Sequence, residues 1–300
     1  MSAASASTTV RRRTKPLERD KRRSTILTIA MWAAVGYFLL PLFWLLIAST
    51  KDNGDLFSTF GLWFGKDFNL FENLATVFTF REGVFGRWIA NTLLYSVVSA
   101  LGAALLATAA GYALGKHRFR GNALIFSIIL GAIMIPLTAL AIPTYLLFSA
   151  ANLTDTVWAV ILPSLVSPFG VYLMRVYAAD AIDDSLMEAA RIDGAGEFRI
   201  FGQVAFRLLG PGIVTVFLFA LVSTWNNYFL PLIMLNSADL YPLTVGLAQW
   251  QATSAGGSGS QALYSTVITG SLVSILPLVI AFLFLQRYWQ TGLSSGGVKG

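Results

Sequence analysis

The sequence shows no nucleophile–histidine pairing and no acidic cluster within its apolar segments. There is one histidine, His117, and no cysteine, so neither a thiolate nor an imidazole metal cage can be assembled, and disulfides are excluded. His117 lies in KHRFR and reads as a solvated loop residue, with no nucleophile paired to it. The phosphate-cradling pattern GxxxxGK[ST] does not occur, so the chain has no ATPase site of that kind. Two stretches carry recognition chemistry instead. SLMEAARIDGAGEFRIFG, Ser185–Gly202, sets charges, alanines and glycines in order inside a chain that is otherwise apolar. Trp225-Asn226-Asn227-Tyr228 places two adjacent amides between flat rings. Buried amides are costly unless partnered or facing water, so this cluster either borders a path for a polar solute or bonds between helices. Asn91, Thr92, Tyr95, Ser99, Thr138, Thr144, Tyr145, Ser164 and Ser167 add neutral donors and acceptors. The set suits a polyhydroxylated neutral solute, although for any single hydroxyl a bond between helices is the plainer reading.

The elements that must hold these residues are membrane spans. Of 300 residues 56% are hydrophobic and 12% charged, half the charge of an ordinary soluble domain, about 25%. A helix crossing the hydrocarbon needs roughly 20 apolar residues. Six segments qualify: Ile26–Ala48, Trp88–Leu114, Ala123–Phe148, Val157–Tyr177, Ile213–Leu235 and Leu263–Leu285. The only charged residue inside them is Arg175, near the end of the fourth, where it can snorkel to the interface. The runs are continuous rather than alternating, which argues against barrel strands. Paired prolines in the third span (Pro136, Pro143) and the fourth (Pro163, Pro168) predict kinked helices around a cavity. The first span is too long for a cleaved signal and reads as a retained anchor.

The basic residues orient the spans. Of the 21 Lys and Arg, all but Lys51, Lys66, Arg81 and Arg87 fall on the side that holds both termini. That side is therefore the cytosol. The net charge of +6 is then a topology signal and a contact for anionic membrane lipid, not a sign of nucleic acid. The expected organisation is a basic cytosolic tail (1–25), a first transmembrane helix with its external loop (26–87), a five-helix core (88–285) holding a cytosolic segment at 185–209, and a cytosolic C-terminal tail (286–300). A second external loop, Asn236–Gln261, ends in the flexible run SAGGSGS.

The interrupting segment falls between spans four and five. Ser185 and Glu188 read as a capping box that starts a helix at Leu186. Ala189 and Ala190 give it a closely approachable face, and Gly194 can take the left-handed conformation that ends it. Phe198, Phe201, Ala205 and Leu208 recur at near-helical spacing and predict a second helix. A short helix with small residues on one face suits a groove on a partner protein, with Glu188, Arg191 and Asp193 adding polar contacts. The other reading, an amphipathic linker lying on the membrane, is disfavoured by the mixed charge and weak apolar face.

EAARIDGA, STWNNYFLPLIML, YPLTVGLAQW and FLFLQRYWQTGLSSGGVKG, in that order, resemble the permease subunits of ATP-binding-cassette importers, specifically the smaller permease of the maltose-type carbohydrate group. The resemblance implies an all-α, polytopic fold with six transmembrane helices, cytosolic termini and a coupling helix between the fourth and fifth. It implies one half of a heterodimeric channel in a bacterial or archaeal plasma membrane. The implied partners are a second, related permease, a homodimeric nucleotide-binding ATPase and an extracytoplasmic solute-binding protein. No cofactor is expected on this chain, since ATP and magnesium belong to the ATPase. The chain would thus be a transport subunit, not an enzyme, and would move sugars, a di- or oligosaccharide by preference, by alternating access. By the same resemblance Glu188, Ala189, Ala190, Asp193, Gly194 and Ala195 carry coupling. The family often has a proline late in this motif where this chain has Arg207, with proline at Pro211 instead. The rival reading is a secondary transporter or facilitator for a neutral polar solute.

Overall fold

The computed structural model describes residues 21–255 and 263–294. The start of the basic tail, the glycine–serine run at 256–260 and the last residues from 295 lie outside the described residues. The chain divides into two compact units, Met1–Trp44 and Leu45–Gly300.

The elements are α1 (Lys21–Ser49), α2 (Leu70–Lys116), α3 (Asn122–Ile133), α4 (Ala141–Ala150), α5 (Trp158–Ser164), α6 (Pro168–Ala181), α7 (Asp184–Ile192), α8 (the helical run Glu197–Leu208), α9 (Gly210–Trp225), α10 (Phe229–Met234), α11 (Leu243–Ala255) and α12 (Tyr264–Ser294). Among the described residues there is no strand, as the continuous apolar runs require. Four helices are long and apolar enough to cross a bilayer: Thr25–Ser49, Leu70–Lys116, Trp158–Ala181 and Tyr264–Gln286. Two bent pairs raise the number to six if each is one span: Asn122–Ile133 with Leu137–Ala150, bent by 98°, and Glu197–Leu208 with Gly210–Trp225, bent by 77°.

Three of the expected continuous helices are therefore interrupted. In the third, Pro136 has extended backbone and is followed by a 3-10 turn, Leu137–Leu140. Proline lacks the N–H that would carry the helix through. In the fourth, the break lies between Pro163 and Pro168. The Ser167 hydroxyl accepts the Gly170 N–H at 3.1 Å and restarts the helix with Pro168 in its first turn. In the fifth, α9 stops at Trp225 and a new helix starts at Phe229. Conversely, the two expected external loops contain helix. Leu70–Thr79 is the start of α2, bent at Phe80–Gly83, where Arg81, Glu82 and Gly83 have positive φ. The second loop holds α11, in which Leu243, Leu247, Trp250 and Ser254 are all buried at helical spacing.

The second unit is built around α2, which packs against α6, α9 and α12. Close approach is made possible by glycine. A Cβ at Gly111 would lie 2.5 Å from the Met174 Cβ and 2.7 Å from the Arg175 nitrogen, so the α2 and α6 backbones touch. Four core clusters result, two of which bear on the sites below. One gathers Ala104, Ala107, Tyr112, Met174, Ala178, Met187, Ile200, Leu209 and Val216. The other gathers Val77, Phe85, Trp88, Trp225, Leu243, Leu247, Trp250 and Leu263.

Candidate functional site

The segment between α6 and α9 is a helix–glycine–helix unit. Its first helix, α7, begins at Asp184, not at Leu186, and its cap residue Asp183 makes no side-chain cap bond. The expected capping box of Ser185 and Glu188 is thus not formed, because Ser185 already lies inside the first turn. The start of the helix is fixed from outside instead. Lys116, the last residue of α2, donates from Nζ to the Ile182 carbonyl at 2.7 Å and pairs with the Asp184 carboxylate at 2.5 Å. Met187, buried in the core cluster, anchors the inner face of α7.

The end of α7 is as the sequence predicts. Gly194 has φ of +80°. Its N–H donates to the Arg191 carbonyl at 3.0 Å, and the Ala195 N–H donates to the Ala190 carbonyl at 3.0 Å. This pair of bonds around a left-handed glycine is the Schellman motif. Its apolar contact is present too, since Ala190 and Ala195 both pack against the core cluster. The second helix is present as expected, with a shifted face. Ala205 is buried and Phe201 packs on the core, but Ile200 and Leu209 are buried in place of Phe198 and Leu208. The cause is a π turn over Phe201–Ala205, which inserts extra backbone and changes the facing of the residues on either side of it. Arg207 lies in the last helical turn, and the 77° bend comes after it, with Pro211 in the first turn of α9.

An ion pair closes the unit across the glycine turn. The Arg191 guanidinium donates to Glu197 from Nε at 2.7 Å and from Nη2 at 3.4 Å. That hydrogen bond, ahead of the charge itself, holds the Glu197 carboxyl below its usual range and raises Arg191. His117 is half-buried, with Nε2 3.9 Å from Glu197, and meets the Tyr112 ring edge-on at 5.3 Å. It is less solvated than its basic neighbours predict. Asp184 is lowered by the hydrogen bond from Lys116 and then by its charge.

Of the six residues assigned to coupling, Glu188, Ala189, Asp193 and Gly194 are exposed, and Ala190 and Ala195 are half-buried on the core side. Two residues outside that set change the surface. Ile192 is 86% and Phe198 96% exposed, one at each side of the glycine turn. The outer face is therefore more apolar than composition alone implied.

The Trp225–Tyr228 cluster lies at the other end of α9, about 24 Å away at 1.5 Å per residue over its 16 residues. Trp225 is buried in the core cluster that also holds Trp88 and Trp250, and its indole donates to the Ser274 carbonyl at 3.2 Å. Asn226 and Tyr228 are exposed and Asn227 is half-buried. Asn226 donates to the Val222 carbonyl at 2.9 Å, and the Asn227 backbone carbonyl accepts the Thr244 hydroxyl at 2.8 Å. The second bond satisfies a carbonyl freed by the helix break, whereas the Val222 carbonyl also accepts the Asn226 N–H at 3.1 Å.

Sequence reasoning missed a clasp beside this cluster. Trp88, Asn91, Thr92 and Tyr95 project from one face of α2. Trp88 donates to the Ala238 carbonyl at 2.9 Å, Asn91 to Asp239 at 2.7 Å and Tyr95 to Leu240 at 2.8 Å, while Thr92 accepts the Leu243 N–H at 2.8 Å. Arg87 pairs with Asp239. The i, i+3, i+4, i+7 spacing was legible; partners about 150 residues away in sequence were not. The same face meets α11 so closely that a Cβ on Gly246 would overlap the Trp88 ring. A second tie, Asp155, accepts the Asn236 and Ser237 N–H groups at 2.9 Å each and the Ser237 hydroxyl at 2.6 Å, which lowers its carboxyl.

Interrupted apolar helices around a central span, with a helix–glycine–helix unit presented at one end, define a polytopic permease. Residues 107–294 match the family described as binding-protein-dependent transport system inner membrane component. The chain belongs to that family. It is 34% identical to the arabinooligosaccharides transport system permease protein AraQ of Halalkalibacterium halodurans, over 97% of this chain and all of that one. It is 30% identical to the melibiose/raffinose/stachyose import permease protein MelC of Bacillus subtilis, over 94% and 99% of the two chains. In fold it is similar to a chain of a bacterial ABC transporter involved in the import of alginate, with a TM-score of 0.77 and 24% identity over 92% of this chain and 100% of that one.

Proposed function

We propose that this chain is one of two permease halves of an ATP-driven, binding-protein-dependent oligosaccharide importer in a bacterial plasma membrane, and that α7 is its coupling helix. Glu188, Ala189, Asp193 and Gly194 form the face that enters a cleft of the ATPase subunit, with Ala190 and Ala195 holding it to the permease core. The observation that carries this reading is the unit's build. It is anchored inside by Met187 and closed by a Schellman turn, yet it leaves Ile192 and Phe198 uncovered. An apolar pair beside a shaped helix end is what a protein groove takes up.

In this reading Asn122–Ile133 with Leu137–Ala150 is one bent span and Gly210–Trp225 with Phe229–Met234 another, giving six, and the distribution of Lys and Arg puts both termini, α7 and α8 in the cytosol. A second permease subunit completes the channel, a pair of nucleotide-binding subunits holds ATP and magnesium, and an extracytoplasmic protein delivers solute. ATP binding draws the ATPases together and moves α7. The spans then open outward, and hydrolysis resets them. An oligosaccharide is supported by the names of the relatives and by the six apolar segments read from the sequence, in which Arg175 is the only charged residue. Asn226, Asn227 and Tyr228, with Trp225 behind them, border the solute path at the α9–α10 break.

Gly194→Pro removes the Gly194 N–H that closes the turn, and Glu188→Lys reverses charge on the docking face. Both variants are expected to insert into the membrane and to lose solute-stimulated ATP hydrolysis by the purified importer. Retention of stimulated hydrolysis in both would remove the docking assignment.

A further inference from the structure

The side chain of Lys116 is 6% exposed, although the carboxylate it meets, Asp184, is 80% exposed. An ammonium is rarely taken out of water without partners that repay its lost hydration. Here the partners sit on both sides of one junction: the carbonyl of Ile182, which ends α6, and the carboxylate of Asp184, which starts α7. Ile182 and Asp183 are both extended, and no side chain caps α7. Two extended residues separate the helices, Ile182 seated in the core cluster and Asp183 exposed, and Lys116 spans them. The neighbouring residues of α2 hold the other arm of the unit. Tyr112 packs on the Phe201 ring at 5.1 Å, and His117 faces Glu197. At its other end the same helix carries Trp88, Asn91, Thr92 and Tyr95, which hold the 238–243 segment beside the Asn226–Tyr228 break.

We propose that Lys116 is a positioning residue of the transport cycle: it locks the α6–α7 hinge so that α7 and α2 move as one body, and a push on α7 is delivered along α2 to the solute path. This rests on the docking reading above but concerns the step after docking. Without the ammonium the ATPase subunit would still bind α7, while α7 would pivot on residues 182–183 and the push would be lost.

The test uses the complete importer in liposomes. Because the chain has no cysteine, spin labels can be placed at Ala109→Cys on α2 and Ser185→Cys on α7, both exposed positions. With Lys116 present, pulsed electron resonance should give one narrow separation that ATP does not change. In Lys116→Met that separation should broaden or move with ATP. Solute carried per ATP should fall about tenfold, the scale of an ordinary coupling between sites, while the ATPase subunit still co-purifies. Lys116→Arg keeps the donors and should restore both readings. Asp184→Ala, at an exposed side chain, should give an intermediate loss and covers the case in which Lys116→Met does not assemble. Wild-type stoichiometry with a narrow, ATP-independent separation in Lys116→Met, or in Asp184→Ala where the former fails to assemble, overturns the proposal. So does a Lys116→Arg variant as defective as Lys116→Met. Failure of docking itself is read separately, as solute-stimulated hydrolysis retained in Gly194→Pro and Glu188→Lys, and the separation within this chain still reports on the strap.

Discussion

The clasp between α2 and residues 238–243 and the α7–α8 unit have similar raw materials and opposite finishes. In the clasp, Trp88, Tyr95 and Trp250 are buried, and the polar groups on the α2 face meet carbonyls or an N–H of the same chain. In the α7–α8 unit the polar ties are equally well made, by Lys116, Arg191 and the glycine turn, but Ile192 and Phe198 stand out in the open. The first region is closed by its own sequence, save for the buried Trp250 indole N–H, which has no hydrogen-bond partner. The second has a firm base and an unfinished outer surface. An unfinished surface on a well-built base marks where another molecule contributes the remaining contacts.

That contrast is breakable. The largest expected effect belongs to the self-contained region. Trp88→Ala should cost about 3–5 kcal/mol of stability, as for other buried aromatic truncations, measured as thermal unfolding of the purified importer; an unchanged midpoint would mean the clasp does not hold the fold. Next, Ile192→Ser with Phe198→Ser should weaken capture of the ATPase subunit by about 2 kcal/mol or more, in the range of interface anchors. The same pair should alter stability by only about 0.5 kcal/mol, as at exposed sites. A stability loss without a binding loss would reverse the roles of the two regions. Thr92→Val leaves the buried Leu243 N–H without its acceptor and should cost about 1–3 kcal/mol, again by thermal unfolding.

The smallest effect is a pH dependence at the base of α7. Lys116 depresses the Asp184 carboxyl in the folded state. Its contribution is therefore present above the unfolded aspartate value, about 3.9, and is lost as pH falls through the lower folded value. A spin label at Ser185→Cys should gain mobility only below the ordinary aspartate range. In Asp184→Asn that acid step should be missing, and an identical step in both would detach the effect from this pair.

Local chemistry was legible in the sequence wherever its cause was local. Proline positions foretold the interrupted third and fourth spans, and Gly194 foretold the left-handed turn. What escaped depended on distance along the chain. Nothing near Ser185 reveals that Lys116 sets the start of α7 from across the fold. Nothing near Asn91 reveals that its amide is used by residues 239 and 241. The π turn over Phe201–Ala205, beside which Ile200, Ala205 and Leu209 are buried and Phe198 faces outward, also has no local mark in the sequence. The helix at Leu243–Ala255 has apolar residues at helical spacing, Leu243, Leu247 and Trp250, a signal that the loop reading of Asn236–Gln261 did not use.

The central claim is that the outer surface of the α7–α8 unit is where the ATPase sits. The chain has no cysteine, so single cysteines can be introduced at Ile192, Phe198 and, at the far loop, Trp63, all exposed. Each is then crosslinked with a short bifunctional reagent in the assembled importer. Crosslinks to the nucleotide-binding subunit are predicted from residues 192 and 198 and none from 63. No crosslink from either 192 or 198, in an importer that still hydrolyses ATP in response to solute, would contradict the account.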